Sequence, residues 1–329
     1  MKKFYRYNTL KESWGKKMKT KKVAIIGIGH VGSHVASSII TQGVCNELII
    51  IDKDVKKALS HGEDLADTMA YMPKRVKVKV GGYEDIEDAD IIVMSASGPI
   101  FKEDRLEELG DTLEVMDEII PFIKSSGFKG IIVSISNPCD IIAYYLHKKT
   151  GLNVIGTGTA LDSGRLRARL GRQLDLNPKS IEAYCLGEHG DSQMVPWSSA
   201  FINGKPLLEL MKEKPDTYGR LNLENIALDT MKAGWNIVVG KGSTEFGIGA
   251  AATEVVKAIL EDERKVLPCS TMLNGEYSET DVYASVLCVI GKNGVEEIIE
   301  LNLTEKEQEE FHSSCGIMKE RIKAVISDK

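Results

Sequence analysis

The stretch 21-KKVAIIGIGHVGSHVASSIITQGVCNELIIIDKD-54 decides the fold. Four apolar residues, Val23 to Ile26, make a strand suited to burial on both faces. Three glycines follow in the spacing Gly27-x-Gly29-x-x-Gly32. From His30 the pattern predicts a helix to Gln42, stopped by Gly43. A second strand spans Leu48 to Ile51 and ends at Asp52. Strand, glycine turn, helix, strand and acid, in that order, form the layout of a dinucleotide site. Gly27 permits the tight turn, Gly29 lets the backbone approach a pyrophosphate, and Gly32 lets the helix pack against the sheet. The helix N-terminus, with Val31 in its first turn, then faces the phosphates. Asp52 can accept from both ribose hydroxyls, and its charge would repel a 2′-phosphate. The reading is therefore NAD rather than NADP, with the adjacent Lys53 arguing weakly the other way. The alternative is a plain glycine turn in another α/β protein, and the flanking strand, helix and acid argue against it.

The alternation continues outward. RVKVKV (75–80), DIIVMSA (90–96) and GIIVSIS (130–136) read as strands. HGEDLADTMAYM (61–72) and RLEELGDTLEVMDEIIPFIKSS (105–126) read as helices between them. Such alternation implies a parallel, doubly wound Rossmann sheet, with ligands beyond the carboxyl ends of its strands. The loop 97–104, entered at Ser97, and the dipeptide Asn137-Pro138 both leave such ends and face the cofactor.

Composition narrows the function. The chain has 329 residues, 43% apolar and 27% charged, enough for two domains with a sizeable core. A net charge of −6 disfavours nucleic acid as a partner. The apolar runs are strand-sized, which argues against a membrane span, and residues 1–20 lack the apolar stretch of a secretory signal. The six cysteines are scattered without a C-x-x-C pair, so no metal site is expected and buried free thiols in a reducing cytoplasm are. Residues 1–20 form a separate basic segment with seven Lys or Arg. Its composition, and the G-rich codons Trp14-Gly15 requires, suggest that translation begins at Met18, which intact mass of the native protein would test.

The second half carries the chemistry. GTGTALDSGRLRARLGRQL (156–174) follows a short strand, NVIG, and reads as a helix. Asp162 and Arg165, spaced i, i+3, share one face. They are either a site pair or an ordinary ion pair; Arg167, Arg169 and Arg172 read as a solvated basic face. In YCLGEHGDSQMVPW (184–197) an apolar strand delivers His189, and the flanking Gly187 and Gly190 leave its ring accessible. The other histidines read as incidental: His30 lies in the glycine turn, and His34, His61, His147 and His312 lie in helical surroundings without an obvious partner. Asn203-Gly204 and Asn293-Gly294 predict tight hairpins, and Thr304 with Glu307 predicts a capping box. Together they indicate an α+β domain with antiparallel sheet over 159–329, following a Rossmann domain over 21–158.

These motifs together resemble the L-lactate/malate dehydrogenase family over residues 20–329. The matching stretches are IIGIGHVGS, DRLEELGDTLEVMDEIIP, SNPCD, VIGTGTALDSGRLR, LGEHGDSQMVPW, GKGSTEFGIG, STMLNGEY and VIGKNGVEEIIELNLTEKE, in that order. The flavour is that of the L-2-hydroxyisocaproate dehydrogenase branch, including Thr112 where ordinary lactate enzymes carry Asn. The resemblance implies roles. His189 is the acid/base, Asp162 holds its imidazole, and Arg165 grips the substrate carboxylate. Arg105, brought in by loop closure, polarises the carbonyl. Asn137 orients nicotinamide and substrate, and Thr244, near Ile248, lines the pocket. Asp52, Lys57 and Tyr83 contact the adenosine half of NAD. L stereochemistry and a homo-oligomer, tetramer or dimer, follow from the resemblance alone.

The loop then bears on the substrate. In this family a residue about six before the loop arginine is Gln in lactate enzymes and Arg in malate enzymes. Here that position is Ile100 counted from the strand, or Pro99 counted back from Arg105, with Phe101 adjacent. None can pair with a second carboxylate, and Glu103 and Asp104 would repel one. An apolar Ile100/Phe101 lid favours a 2-oxo monocarboxylic acid with an apolar side chain; the alternative is that both residues pack on neighbours and never touch substrate. Fructose 1,6-bisphosphate activation in bacterial relatives uses an Arg, matched by Arg167, and a His, replaced here by Glu182. Repulsion at Glu182 implies no activation. The overall reading is a cytoplasmic NAD-dependent L-2-hydroxy acid dehydrogenase, against L-lactate dehydrogenase proper, malate dehydrogenase, or a non-catalytic NAD-binding protein.

Overall fold

The computed structural model describes residues 20–98 and 105–326. Its first unit is the one quoted above: β1 (Lys22–Ile26), α1 (His30–Gln42) and β2 (Glu47–Ile51). Gly43 ends α1 in the left-handed region at φ 62°, donating its N–H back to the last turn, as a C-terminal glycine can without steric cost. The next helix begins earlier than its apolar pattern indicated. α2 runs over Val55–Asp67 because the Asp54 side chain accepts from the Lys57 N–H and caps it. Val55 and Lys56 are exposed and Lys57 is half-buried, so no apolar residue packed inward marks the start.

β3 (Lys77–Val80), β4 (Ile91–Met94), α3 (Arg105–Ser125), β5 (Ile131–Ser134), α4 (Cys139–Thr150), β6 (Asn153–Gly156) and α5 (Ala160–Leu174) complete the first half. The strands lie parallel in the order β3-β2-β1-β4-β5-β6. That is the doubly wound arrangement, with its switch point between β1 and β4. β4 and β5 are buried at every position, which explains their continuous apolar sequences.

The second half holds β7 (Ile181–Glu182), β8 (Phe201–Ile202), β9 (Lys205–Pro206), α6 (Leu207–Glu213), α7 (Leu223–Lys241), α8 (Phe246–Leu260), β10 (Lys265–Asn274), β11 (Thr280–Gly291), β12 (Gly294–Ile299) and α9 (Glu305–Ile326). The Asn203-Gly204 hairpin forms between β8 and β9, with both residues at positive φ, 46° and 80°. At the second hairpin the loop is Lys292-Asn293 and only Gly294 has positive φ, 92°. The register shift between Val289 and Ile290 absorbs the difference. The capping box forms: the Thr304 N–H donates to Glu307 Oε2 at 2.9 Å, and the Glu307 N–H to Thr304 Oγ1 at 3.3 Å.

The antiparallel sheet is present, but it is not separate. β10 pairs with β6 through Ser270 and Gly156, so β10, β11 and β12 extend the parallel sheet to nine strands among the described residues. Gly156 makes this junction possible, since a Cβ there would lie 2.9 Å from Ser270 Cβ. One core, rich in Ile and Val, fills the sheet face under α1 and α8; a second lies under α3 and α4. A third, around Leu166, Leu170, Ile181 and Leu207, packs α5 against the elements that follow it. Among the described residues no helix is long and apolar enough to cross a membrane.

Candidate active site

The glycine turn has two closed sides and one open one. Gly27, at φ 92°, faces the Ala96 backbone, where a Cβ would stand 2.7 Å from its nitrogen. A Cβ on Gly32 would stand 2.0 Å from the Gly27 carbonyl oxygen. A Cβ on Gly29 would meet only Lys57 Nζ, at 3.9 Å. The open side therefore lies at the start of α1, which no side chain caps, as binding of a pyrophosphate to backbone amides requires. Val31 packs against the core and helps to seat that helix.

Asp52 directly follows β2 and ties this turn together. Its Oδ2 accepts from the Ile28 N–H at 2.8 Å and its Oδ1 from the Asp54 N–H at 2.9 Å. Each oxygen keeps a lone pair for a ribose hydroxyl. Lys57 Nζ lies 3.7 Å from Asp52 Oδ2. Tyr83 stacks on Phe122 at 5.0 Å, and burial, then the charge of Asp52, pushes its hydroxyl up to about 12. Asp52, Lys57 and Tyr83 thus gather at the β2 side of the turn, and this arrangement fits a dinucleotide.

The chemistry gathers on the other side. Asp162 projects from the first turn of α5 and is 2% exposed. Its Oδ2 lies 2.5 Å from His189 Nδ1, and its Oδ1 accepts from Arg165 Nη1 at 2.9 Å. The intrahelical ion pair of Asp162 and Arg165 therefore forms, and it is joined to His189. Burial would raise the Asp162 acid, but His189 and Arg165 hold it below the usual carboxylate range. Burial would lower the His189 imidazole, but Asp162 and then Asp140 hold it above its ordinary value. The His189 side chain keeps 26% of its surface exposed, so the ring remains reachable.

No regular strand delivers His189. Isolated bridges, Leu186 to Met194 and Gly187 to Ser285, position the segment instead. α9 completes the support: Ser314 Oγ accepts from the Glu188 N–H at 2.8 Å, and Arg321 pairs with the buried Glu188. Gly187, at φ 85°, has no room for a Cβ, which would stand 2.6 Å from Ser314 Oγ. Below the histidine, Asp140 Oδ2 accepts the His189 backbone N–H at 2.7 Å. Above Arg165, Gly234 of α7 leaves space; a Cβ there would stand 3.5 Å from both terminal guanidinium nitrogens. Asp140, Glu188, Arg321 and Gly234 were not legible as site residues, because their partners are remote in sequence.

The remaining expected residues fall as follows. Asn137 is exposed beyond the carboxyl end of β5, before the cis Asn137-Pro138 bond. Thr244 and Ile248 are half-buried where α7 turns into α8. Ser97 is half-buried past β4, and the next N–H, of Gly98, donates to the buried Thr112 Oγ1 at 3.2 Å. Arg105 begins α3, but its side chain, and Pro99, Ile100 and Phe101, lie outside the described residues. Three histidines expected to lack partners have them. His34 Nδ1 faces the His30 carbonyl at 2.8 Å, His147 Nδ1 the Leu152 carbonyl at 2.9 Å, and His312 Nδ1 the buried Glu279 at 2.6 Å. The first two bonds fall within or just past a helix, and the third is a tertiary contact. All six cysteines are free and buried.

Comparison with known proteins places the chain in a family. The family model described as the lactate/malate dehydrogenase NAD binding domain matches residues 21–155. The one described as the lactate/malate dehydrogenase alpha/beta C-terminal domain matches residues 159–328. An L-lactate dehydrogenase of Fusobacterium nucleatum is 43% identical over 315 residues, covering 95% of this chain and 99% of that one. L-lactate dehydrogenase 3 of Bacillus cereus is 43% identical over 314 residues, covering 94% and 99%. The crystal structure of the minor L-lactate dehydrogenase from Enterococcus mundtii, in its ligands-bound form, superposes with a TM-score of 0.89 at 39% identity, covering 93% of this chain and 98% of that one. With its NAD-binding first half and its matching second half, the chain belongs to the lactate/malate dehydrogenase family.

Proposed function

We propose that this protein is an NAD-dependent L-2-hydroxy acid dehydrogenase that interconverts a 2-oxo monocarboxylic acid and its L-2-hydroxy acid. One observation carries the reading: a single buried carboxylate, Asp162, engages both a reachable imidazole and a guanidinium. That places a proton donor and a carboxylate-binding group on one anchor, as a 2-oxo acid requires. NADH, when bound, supplies the hydride. His189 gives its proton to the substrate oxygen during reduction and takes it back during oxidation. Asp162 stabilises the imidazolium form and fixes the ring orientation. Arg165 holds the substrate carboxylate by two N–H groups. Arg105 polarises the carbonyl, while Asn137 and Thr244 orient and enclose the substrate.

The finer reading is an apolar substrate side chain, supported by Ile100 and Phe101 in the loop sequence. A second reading, pyruvate as preferred substrate, is favoured by the names of the relatives. One methylene in an apolar pocket is worth about 1–3 kcal/mol, so the preference is graded in either case. The test is kcat/KM for NADH oxidation with pyruvate, 2-oxoisocaproate, phenylpyruvate and oxaloacetate. Higher values for the branched or aromatic acids support the apolar lid; a large advantage for pyruvate makes it a lactate enzyme. Turnover of oxaloacetate above all others, or of none of the four, would overturn the reading.

The division at residues 158/159, a cytoplasmic location and a homo-oligomer, dimer or tetramer, belong to the same proposal. Exposed Val55 and Leu59 on α2, with Trp235, Ile237 and Val239 on α7, support self-association.

A further inference from the structure

One buried carboxylate has no part in the mechanism above. Asp140 is the second residue of α4 and is 3% exposed. Its Oδ2 accepts the His189 N–H, while its buried Oδ1 has no hydrogen-bond partner among the described residues. Ser270, on β10 at the sheet junction, bears on the carboxylate and favours its charged form, although among the described residues its buried Oγ makes no hydrogen bond. Burial pushes the Asp140 acid up to about 6. A neutral acceptor would hold one backbone N–H without the cost of burying a charge. The charge therefore calls for a reason beyond that hydrogen bond.

The neighbours supply one. Facing Asp140 are His189 and Glu188 from the 187–192 segment and Cys315 from α9, with Cys139 on its own helix. Asp162 and Arg165, from α5, bear on His189. Glu188 is paired with Arg321, and Arg165 with Asp162. In the proposed reaction, His189 is the group in this set whose positive charge comes and goes.

We propose that Asp140 is a positioning residue for the reaction, anchoring the His189 backbone and lending a second negative charge that favours the imidazolium. It rests on the reading of His189 as the acid/base. Two carboxylates then act on one imidazole: Asp162 through the ring and Asp140 through the backbone and the field. Asp140 also lies three residues after Asn137, so one short segment carries both the substrate-orienting amide and this anchor.

The test is Asp140→Asn, which keeps an oxygen for the His189 N–H and replaces the other, with the charge, by an NH2 group. The expected result is a folded protein with unchanged NADH affinity and equal or higher Tm at pH 8. The alkaline limb of kcat/KM for 2-oxo acid reduction shifts to lower pH by about one unit. Well above that limb a one-unit shift is about a ten-fold loss. A pH profile superimposable on that of the wild type overturns the proposal. NMR titration of His189 in the wild-type protein gives a check independent of the variant. A second inflection near pH 6, the value set for Asp140, is expected, and a single-step curve counts against the coupling. His189→Asn is measured in parallel: if it retains wild-type turnover, the acid/base reading fails, which is distinct from failure of the Asp140 proposal.

Discussion

Asp162 divides its two oxygens between His189 Nδ1, at 2.5 Å, and Arg165 Nη1, at 2.9 Å. Because it is buried in the first turn of α5, its rotamer is fixed by packing as well as by these bonds. The proton donor and the carboxylate grip are thus held in one frame, and neither can drift without disturbing the other.

The pH dependence follows from His189. Its pKa is raised, so the imidazolium persists above its ordinary value of about 6.5. Reduction uses the imidazolium, so kcat/KM for the 2-oxo acid stays level at low pH and falls as pH rises through that raised pKa. Oxidation uses the neutral ring and falls in the opposite direction. His189→Asn should cost on the order of 10²–10⁴ in kcat. Asp162→Asn should move the reduction limb to lower pH. Steady-state rates in both directions from pH 5 to 9 would check this; a flat reduction profile would count against His189.

Arg165→Lys keeps the charge and loses the two-pronged donor. Hydrogen bonds to charged groups are worth about 1.5–3 kcal/mol. KM for the 2-oxo acid should rise about 10- to 150-fold while NADH affinity is retained. Stopped-flow binding of NADH beside substrate titration separates the two. Weakening of both alike would mean that the substitution disturbs the fold.

Asp52 has a double task, which makes its substitution informative. Asp52→Asn keeps one oxygen acceptor but loses the charge that excludes a 2′-phosphate. NADH affinity should fall about ten-fold and discrimination against NADPH should shrink. One of its two backbone bonds is also lost, costing about 1 kcal/mol of stability. If the NADPH/NADH ratio of kcat/KM does not move, Asp52 serves only the turn.

Gly234 separates helix propensity from site space. In Gly234→Ala the new Cβ stands at an ordinary contact distance, 3.5 Å, from the Arg165 nitrogens. Removing a glycine from the interior of α7 should stabilise by about 1 kcal/mol. A branched residue such as Val should instead crowd the guanidinium and raise KM for the 2-oxo acid. Equal kinetics for Gly234→Ala and Gly234→Val would remove Gly234 from the pocket.

Fructose 1,6-bisphosphate should leave the rate unchanged. Glu182 is exposed on β7, and Arg167 is partly occupied by the Ser163 carbonyl at 3.3 Å. An acid presented to a phosphate repels it. A several-fold activation in a simple rate assay would reverse this conclusion.

The sequence by itself determined the first βαβ unit. Its glycines, apolar runs and terminal acid act over a few residues, and local rules suffice for such short range. Asp162 with Arg165 was legible for the same reason, since i, i+3 spacing on a helix makes neighbours. Their connection to His189 was not legible from spacing, because it spans 27 residues. Resemblance supplied it as an implication, and the tertiary structure showed the distance. Only the tertiary structure decided three further matters. It joined the antiparallel strands to the parallel sheet through Gly156 and Ser270. It brought Arg321 and Ser314 of α9 to the segment bearing His189. It set Asp140 beneath the His189 backbone, 49 residues away in sequence. Buried polar groups take partners from wherever packing delivers them, and no local periodicity records that choice.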